Sequence, residues 1–188
     1  MTASELINPA TEEVIASVAA AGEEDVDRAV RSARATFESD KWRKMSARQR
    51  GEAVYRLGEL ILKNKEELAR LETLNNGKPV FESMIDVRLA AATYKYYGGW
   101  ADKIHGETIP VDGPFLNYTL REPLGVVGAI VPWNFPISLA AWKVAPALAC
   151  GNTVVLKPAE LTPFTAIRMA ELAIDAGLPP GAFHCIPG

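Results

Sequence analysis

With 188 residues, 48% of them hydrophobic and 23% charged, the chain has the composition of an ordinary globular protein, one domain or a domain with an appendage. A net charge of −3 gives no electrostatic basis for binding nucleic acid or a membrane surface. Two cysteines, Cys150 and Cys185, are too few for a disulfide framework and lack metal-ligand spacing, so no metal site is expected and both read as buried thiols. Met1–Glu5 has neither the basic region nor the apolar core of a signal peptide, and no apolar run is long enough to span a bilayer. A cytoplasmic protein is the expectation.

The alternation of Val14, Ala16 and Val18 predicts a short edge strand or hairpin, ended near Gly22. Val26, Ala29, Val30, Ala33 and Phe37 then recur at steps of three and four, an amphipathic helix with Glu23, Glu24 and Asp25 in its first turn. Ser46-Ala47-Arg48-Gln49 fits a capping box. The helical run after it carries Val54, Leu57, Ile61, Leu68, Leu71 and Leu74, breaks near Lys63-Asn64-Lys65 and stops at Gly77-Lys78-Pro79. A third helical stretch runs from about Val80 to Ile104, with a weakness at Gly98-Gly99. Arg28, Arg31, Arg34, Lys63, Lys65, Glu66 and Glu67 read as solvated faces of these helices.

The pattern changes at Gly106. Ile109-Pro110-Val111-Asp112-Gly113-Pro114 is rich in turn formers, and Phe115–Arg121 alternates like a strand. From Gly125 onward, strands near Gly125–Val131, Thr153–Lys157 and Phe183–Ile186 alternate with helices near Ile137–Ala149 and Thr162–Ala176. Pro146 should kink the first of those helices. Parallel strands joined by helices make the fold class α/β: a partial doubly wound, Rossmann-like parallel sheet preceded by a helical region, with a short strand arm between. The chain divides accordingly into 1–105, 106–123 and 124–188.

The first of these strands runs Val126-Val127-Gly128-Ala129-Ile130-Val131 and ends at Pro132-Trp133-Asn134-Phe135-Pro136. Two prolines fix the backbone around Asn134, whose amide carries two N–H donors, at the strand end where open α/β sheets place ligands. It is either an aimed donor or an Asx-turn residue. The next strand ends at Lys157-Pro158-Ala159-Glu160. Glu160 there can accept from both hydroxyls of a ribose and repel a 2′-phosphate, or it can serve as a helix-entry carboxylate. Lys157 can reach ribose or phosphate oxygen, or be a solvated charge. Ile130, Pro132, Trp133 and Phe135 line the same end. His105 and His184 sit in no triad or metal spacing, and the fingerprint G-x-G-x-x-G is absent.

Pro132-Trp133-Asn134-Phe135-Pro136 followed by Lys157-Pro158-Ala159-Glu160 resembles the aldehyde dehydrogenase superfamily, as do Arg121-Glu122-Pro123-Leu124-Gly125-Val126-Val127-Gly128 and Asn8-Pro9-Ala10-Thr11. The resemblance spans about Ile7 to Gly188 and matches the amino-terminal part of a family more than twice this long. It implies an NAD(P)-dependent oxidation of an aldehyde to a carboxylic acid, through attack by a cysteine thiolate and release by a glutamate-activated water. Asn134 is implied as the oxyanion donor. Ile130, Pro132, Trp133, Lys157 and Glu160 are implied as cofactor contacts, with NAD favoured by Glu160 and NADP possible. The resemblance places the nucleophile, the base and the phosphate-binding Gly-Ser-Thr-x-x-Gly turn beyond this stretch. The chain alone is therefore expected to be inactive.

By the same resemblance, residues 1–105 and 124–188 belong to a cofactor-binding domain, 106–123 is an arm that pairs with a neighbouring subunit, and the catalytic domain is absent. The full-length form is implied to be a homodimer or homotetramer. Two alternatives stand beside this: a non-catalytic module keeping part of the nucleotide-binding sheet, and an acylating or acyl-phosphate-reducing relative.

Overall fold

A computed structural model describes residues 2–188. The elements in order are β1 (Thr2–Ile7), β2 (Val14–Ala20), α1 (Glu23–Glu38), α2 (Asp40–Arg43), α3 (Ala47–Lys63), α4 (Lys65–Asn76), α5 (Val80–Trp100), β3 (Thr108–Ile109), β4 (Asn117–Tyr118), β5 (Val126–Ile130), α6 (Pro136–Ala149), β6 (Thr153–Lys157), α7 (Phe164–Asp175) and β7 (Phe183–Cys185). β1 and β2 form an antiparallel hairpin. No helix among the described residues is long and apolar enough to cross a membrane.

β5, β6 and β7 form one parallel sheet in that order, with α6 and α7 as the crossovers. Because side chains alternate along a strand, β6 faces two ways. Val154 and Leu156 enter the main core with α3, α5, α6 and α7, while Val155 meets Ala29 and Ala33 of α1. The predicted apolar face of α1 is narrower than expected. Only Ala29 and Ala33 are buried, and Val26 and Val30 are each 40% exposed. Two alanines let the helix lie close on the sheet, which turns the flanking valines outward.

Ser46 caps α3 as its sequence predicts: Gln49 N–H donates to Ser46 Oγ at 3.2 Å and Ser46 N–H to Gln49 Oε1 at 3.0 Å. The break between α3 and α4 falls at Asn64, and Gly77 ends α4 with φ +86. The Gly98-Gly99 weakness is not there, because α5 runs unbroken through both glycines. Its crossing with α3 needs Gly98 and the facing Gly51 small: a Cβ on Gly51 would stand 2.4 Å from the Gly98 carbonyl oxygen. α6 likewise continues through Pro146.

The strand expected over Phe115–Arg121 shrinks to Asn117–Tyr118, and its partner is Thr108–Ile109 at the start of the turn-rich stretch. Pro110 ends the ladder on its turn side, since it cannot donate to it. Phe115, Leu116, Leu120 and Leu124 are left 70% or more exposed.

α3 also reaches the far ends of both crossover helices. Arg50 Nε donates to the Ala149 carbonyl at 3.0 Å and Arg56 Nε to the Ala176 carbonyl at 2.9 Å. Each guanidinium thus satisfies one of the orphan carbonyls at a helix carboxyl end and complements its dipole. Trp42 Nε1 donates to the Gly151 carbonyl at 2.7 Å just beyond α6.

Candidate active site

The two segments singled out from sequence lie side by side. Ile130 is the register partner of Lys157, and Val131 N–H donates to the Lys157 carbonyl at 3.1 Å. Pro132–Asn134 and Pro158–Glu160 therefore leave the carboxyl ends of adjacent parallel strands together. Ile130 is 79% and Trp133 59% exposed. Pro132 and Asn134 are exposed as well.

Asn134 is held by its backbone. Its carbonyl accepts from Lys78 Nζ at 3.0 Å, and Asn76 Nδ2 donates to the preceding Trp133 carbonyl at 2.7 Å. Its carboxamide makes no hydrogen bond with the described residues, so it is not spent on an Asx turn. Pro136 opens α6 one residue after Phe135, and fixes where the loop ends.

Lys157 Nζ donates to Glu160 Oε1 at 2.7 Å and to the Pro158 carbonyl at 3.4 Å. The ammonium holds the Glu160 carboxyl below its ordinary range. α7 starts only at Phe164, so Glu160 stands outside that helix's first turn and is not a helix-entry carboxylate. The two charges meet each other rather than standing apart. Exposed pairs of this kind are weak, and either partner can exchange for a ligand.

Sequence reasoning missed what holds both loops in place: the end of α4. Glu72 Oε1 accepts from Ile137 N–H in α6 at 3.3 Å, and Thr165 Oγ1 in α7 donates to its other oxygen at 2.6 Å. Asn75 Nδ2 donates to the Leu161 carbonyl at 2.7 Å, and its Oδ1 accepts from Phe164 N–H at 3.2 Å. With Asn76 and Lys78 on the other loop, four residues within the span Glu72–Lys78 clasp both strand ends. The buried stripe of α4 is Leu68, Ala69, Glu72 and Asn75, and Leu74, assigned to it from sequence, is 42% exposed. The signal was present: two polar residues stand at helical spacing in line with Leu68.

Cys150 is exposed, contrary to expectation, because it lies past the last turn of α6 where the chain bends through Gly151. Cys185 is half-buried in β7, and burial pushes its thiol up to about 12. His184 Nε2 lies 3.1 Å from Ser32 Oγ, with burial lowering its pKa. His105 is exposed.

The family model of the aldehyde dehydrogenases, described as "Aldehyde dehydrogenase family", matches residues 2–188. The chain belongs to the aldehyde dehydrogenase family. It is 52% identical over 184 residues to the mitochondrial aldehyde dehydrogenase of Rattus norvegicus, covering 97% of this chain and 36% of that one. A mitochondrial aldehyde dehydrogenase family 2 member B4 of Arabidopsis thaliana is 52% identical over 97% of this chain and 34% of its own. Among solved structures, an aldehyde dehydrogenase from Bacillus cereus in complex with NAD+ superposes with a TM-score of 0.97 at 48% identity, covering all of this chain and 38% of that one. This aldehyde dehydrogenase chain thus spans a little over a third of the length of these relatives.

Proposed function

We propose that the chain is the amino-terminal part of an enzyme that oxidises an aldehyde to a carboxylic acid with NAD(P)+. Family membership supports the reaction class, and the NAD+ bound by the Bacillus cereus relative supports the cofactor. The observation that carries the residue roles is the Asn134 carboxamide, unbonded and fixed through its backbone at a strand end. In this reading its N–H donates to the aldehyde oxygen as a cysteine thiolate attacks the carbonyl carbon and charge collects on that oxygen.

Neither cysteine present suits the attack. The 14 residues of α6 separate Asn134 from Cys150, about 21 Å at the usual helical rise. The raised Cys185 thiol is a poor thiolate. We assign the nucleophile and the water-activating glutamate to sequence beyond these 188 residues, and expect the isolated chain to show no turnover.

The strand ends fit a dinucleotide, since exposed apolar side chains stand beside an exposed carboxylate and its ammonium. Ile130, Pro132 and Trp133 would supply the apolar face. Glu160 would accept from ribose hydroxyls and Lys157 would donate to ribose or phosphate oxygen. When bound, NAD+ supplies the hydride acceptor. We assign 106–123 to an arm that contacts another copy in a homodimer or homotetramer, because its apolar side chains lie bare along a two-pair ladder.

The test is Asn134→Ala in the whole protein. We expect kcat to fall by about 100- to 1000-fold, the usual effect of losing one oxyanion donor, with a smaller change in KM. Full kcat in this variant refutes the assignment. A separate measurement addresses the cofactor. The Glu160 carboxylate should make the enzyme prefer NAD+, and Glu160→Gln should narrow the NAD+/NADP+ ratio of kcat/KM by about fivefold, the effect of ~1 kcal/mol for one exposed charge pair. A wild type that already prefers NADP+ would show that Lys157 outweighs Glu160.

A further inference from the structure

Since the Asn134 carboxamide is unbonded, the direction in which it donates is set by the backbone that carries it. That backbone meets a buried charge. Lys78 Nζ donates to the Asn134 carbonyl at 3.0 Å and stands 4.4 Å from the centre of the Phe135 ring. The same ammonium donates to Asp86 Oδ2 at 2.7 Å, and the two side chains are only 9% and 8% exposed. Lys78 sits in the three-residue link between α4 and α5, after Gly77 at φ +86 and before Pro79, which caps α5. Such a link leaves its backbone little freedom.

An ammonium taken out of water needs a partner for each of its three N–H groups. Here the carboxylate of Asp86, the Asn134 carbonyl and the face of Phe135 fill that need, the last as a cation–π contact. Charge-assisted hydrogen bonds are shorter and stronger than neutral ones, so the Asn134 peptide has one preferred place against Lys78. Asp86 is itself on α5, whose backbone carbonyl at that residue accepts from Ser138 Oγ of α6 at 3.3 Å. The loop carrying Asn134 and the first turn of α6 are therefore referred to the same point on α5.

We propose, resting on the assignment of Asn134 as the oxyanion donor, that Lys78 is a positioning residue for it. Clamped by Asp86, Lys78 fixes the peptide of Asn134 so that the carboxamide points where charge develops on the substrate. Only the transition state gains from this alignment, so its loss lowers kcat and spares KM. A residue that merely supported the fold would lower the amount of folded enzyme and leave the kcat of the folded fraction intact.

The experiment compares Lys78→Met, Lys78→Arg, Asn134→Ala and the double variant Lys78→Met/Asn134→Ala in the whole protein. Turnover of propanal with saturating NAD+ is measured beside a thermal scan. Lys78→Met should lower kcat about 10- to 100-fold, the effect of a misplaced group, with KM for propanal within about threefold of wild type. Lys78→Arg keeps a charge that can reach both Asp86 and the Asn134 carbonyl, and should recover most of that loss. In the double variant, Lys78→Met should cost less than about twofold beyond Asn134→Ala alone, because the group it positions is gone.

Equal losses from Lys78→Met with and without Asn134, or kcat within twofold of wild type in the single variant, overturn the positioning role while leaving the Asn134 assignment standing. Asn134→Ala with full kcat overturns the assignment and the positioning role with it. Should Lys78→Met fail to fold, Lys78→Gln carries the same comparison. Its amide is one bond shorter and uncharged, so it removes the charge-assisted bond to the Asn134 carbonyl.

Discussion

Gly98→Ala is expected to cost the fold about 3 kcal/mol, whereas Gly99→Ala one residue later is expected to stabilise it by up to about 1 kcal/mol. Both glycines lie in α5, and helix propensity favours alanine equally at each. Their surroundings differ. A Cβ on Gly98 would stand 2.8 Å from the Gly51 carbonyl oxygen, 2.8 Å from the Tyr55 nitrogen and 2.9 Å from the Tyr55 Cβ, while one on Gly99 would meet nothing within 4 Å. The atoms facing Gly98 are backbone and the first carbon of a side chain in α3, so no rotamer change can make room. The two helices must separate, and the core between them, which includes Val54, Leu57 and Tyr94, loses contact. A chain of this size shifts in Tm by about 2–4 °C per kcal/mol, so thermal scans of the two variants should diverge by roughly 6 °C or more. Equal Tm values would show that the α3–α5 crossing is loose.

Glu72 should make stability fall as pH rises. Burial is the main reason its carboxyl is pushed up from 4.5 to about 7, and a smaller contribution from Asp86 adds to it. The hydroxyl of Thr165, the N–H of Ile137 and the ammonium of Lys78 pull the other way without winning. Between those two values the folded protein holds a proton that the unfolded chain has released. This group's contribution is therefore fully present below about pH 4.5, declines through pH 7 and is lost above it. Each pH unit in the window is worth about 1.4 kcal/mol, which puts the decline near 3 kcal/mol. Glu72→Gln keeps the shape and an oxygen for Ile137 N–H, and removes the titration. Denaturant melts at pH 5 and pH 8 should show the wild type losing about 3 kcal/mol more than the variant across the window. Parallel pH dependence in the two proteins would mean that Glu72 is hydrated in solution.

What was legible in the sequence follows from how local the cause is. The capping box at Ser46 and Gln49 lies within four residues, and the αL stop at Gly77 within one, so both were readable. The parallel strands were readable because β6 is buried on both faces, which demands an unbroken apolar run. The clasp from Glu72 to Lys78 was not, because its partners at 133–137 and 161–165 lie 56 to 93 residues away along the chain. No window of local periodicity contains both ends of such a bond. Cys150 misled for a related reason: its apolar run predicts burial, yet the residue falls just past the end of α6. The placement of Asn134 and Glu160 just past adjacent strand ends was readable because turn chemistry marks where those strands stop.

The two arginines of α3 that reach the carboxyl ends of α6 and α7 are six residues apart, about 9 Å of helix. That interval is a gauge for the distance between the two crossovers, cut into a third helix that belongs to neither. Deleting or inserting one residue between Arg50 and Arg56 would swing one guanidinium about 100° around the axis and leave a helix end bare. Length changes among homologues should therefore collect in the loops at the opposite ends of α6 and α7 or in the 106–123 stretch, and spare the span from Arg50 to Arg56. An alignment gap inside that span would mark a relative whose sheet is spaced differently.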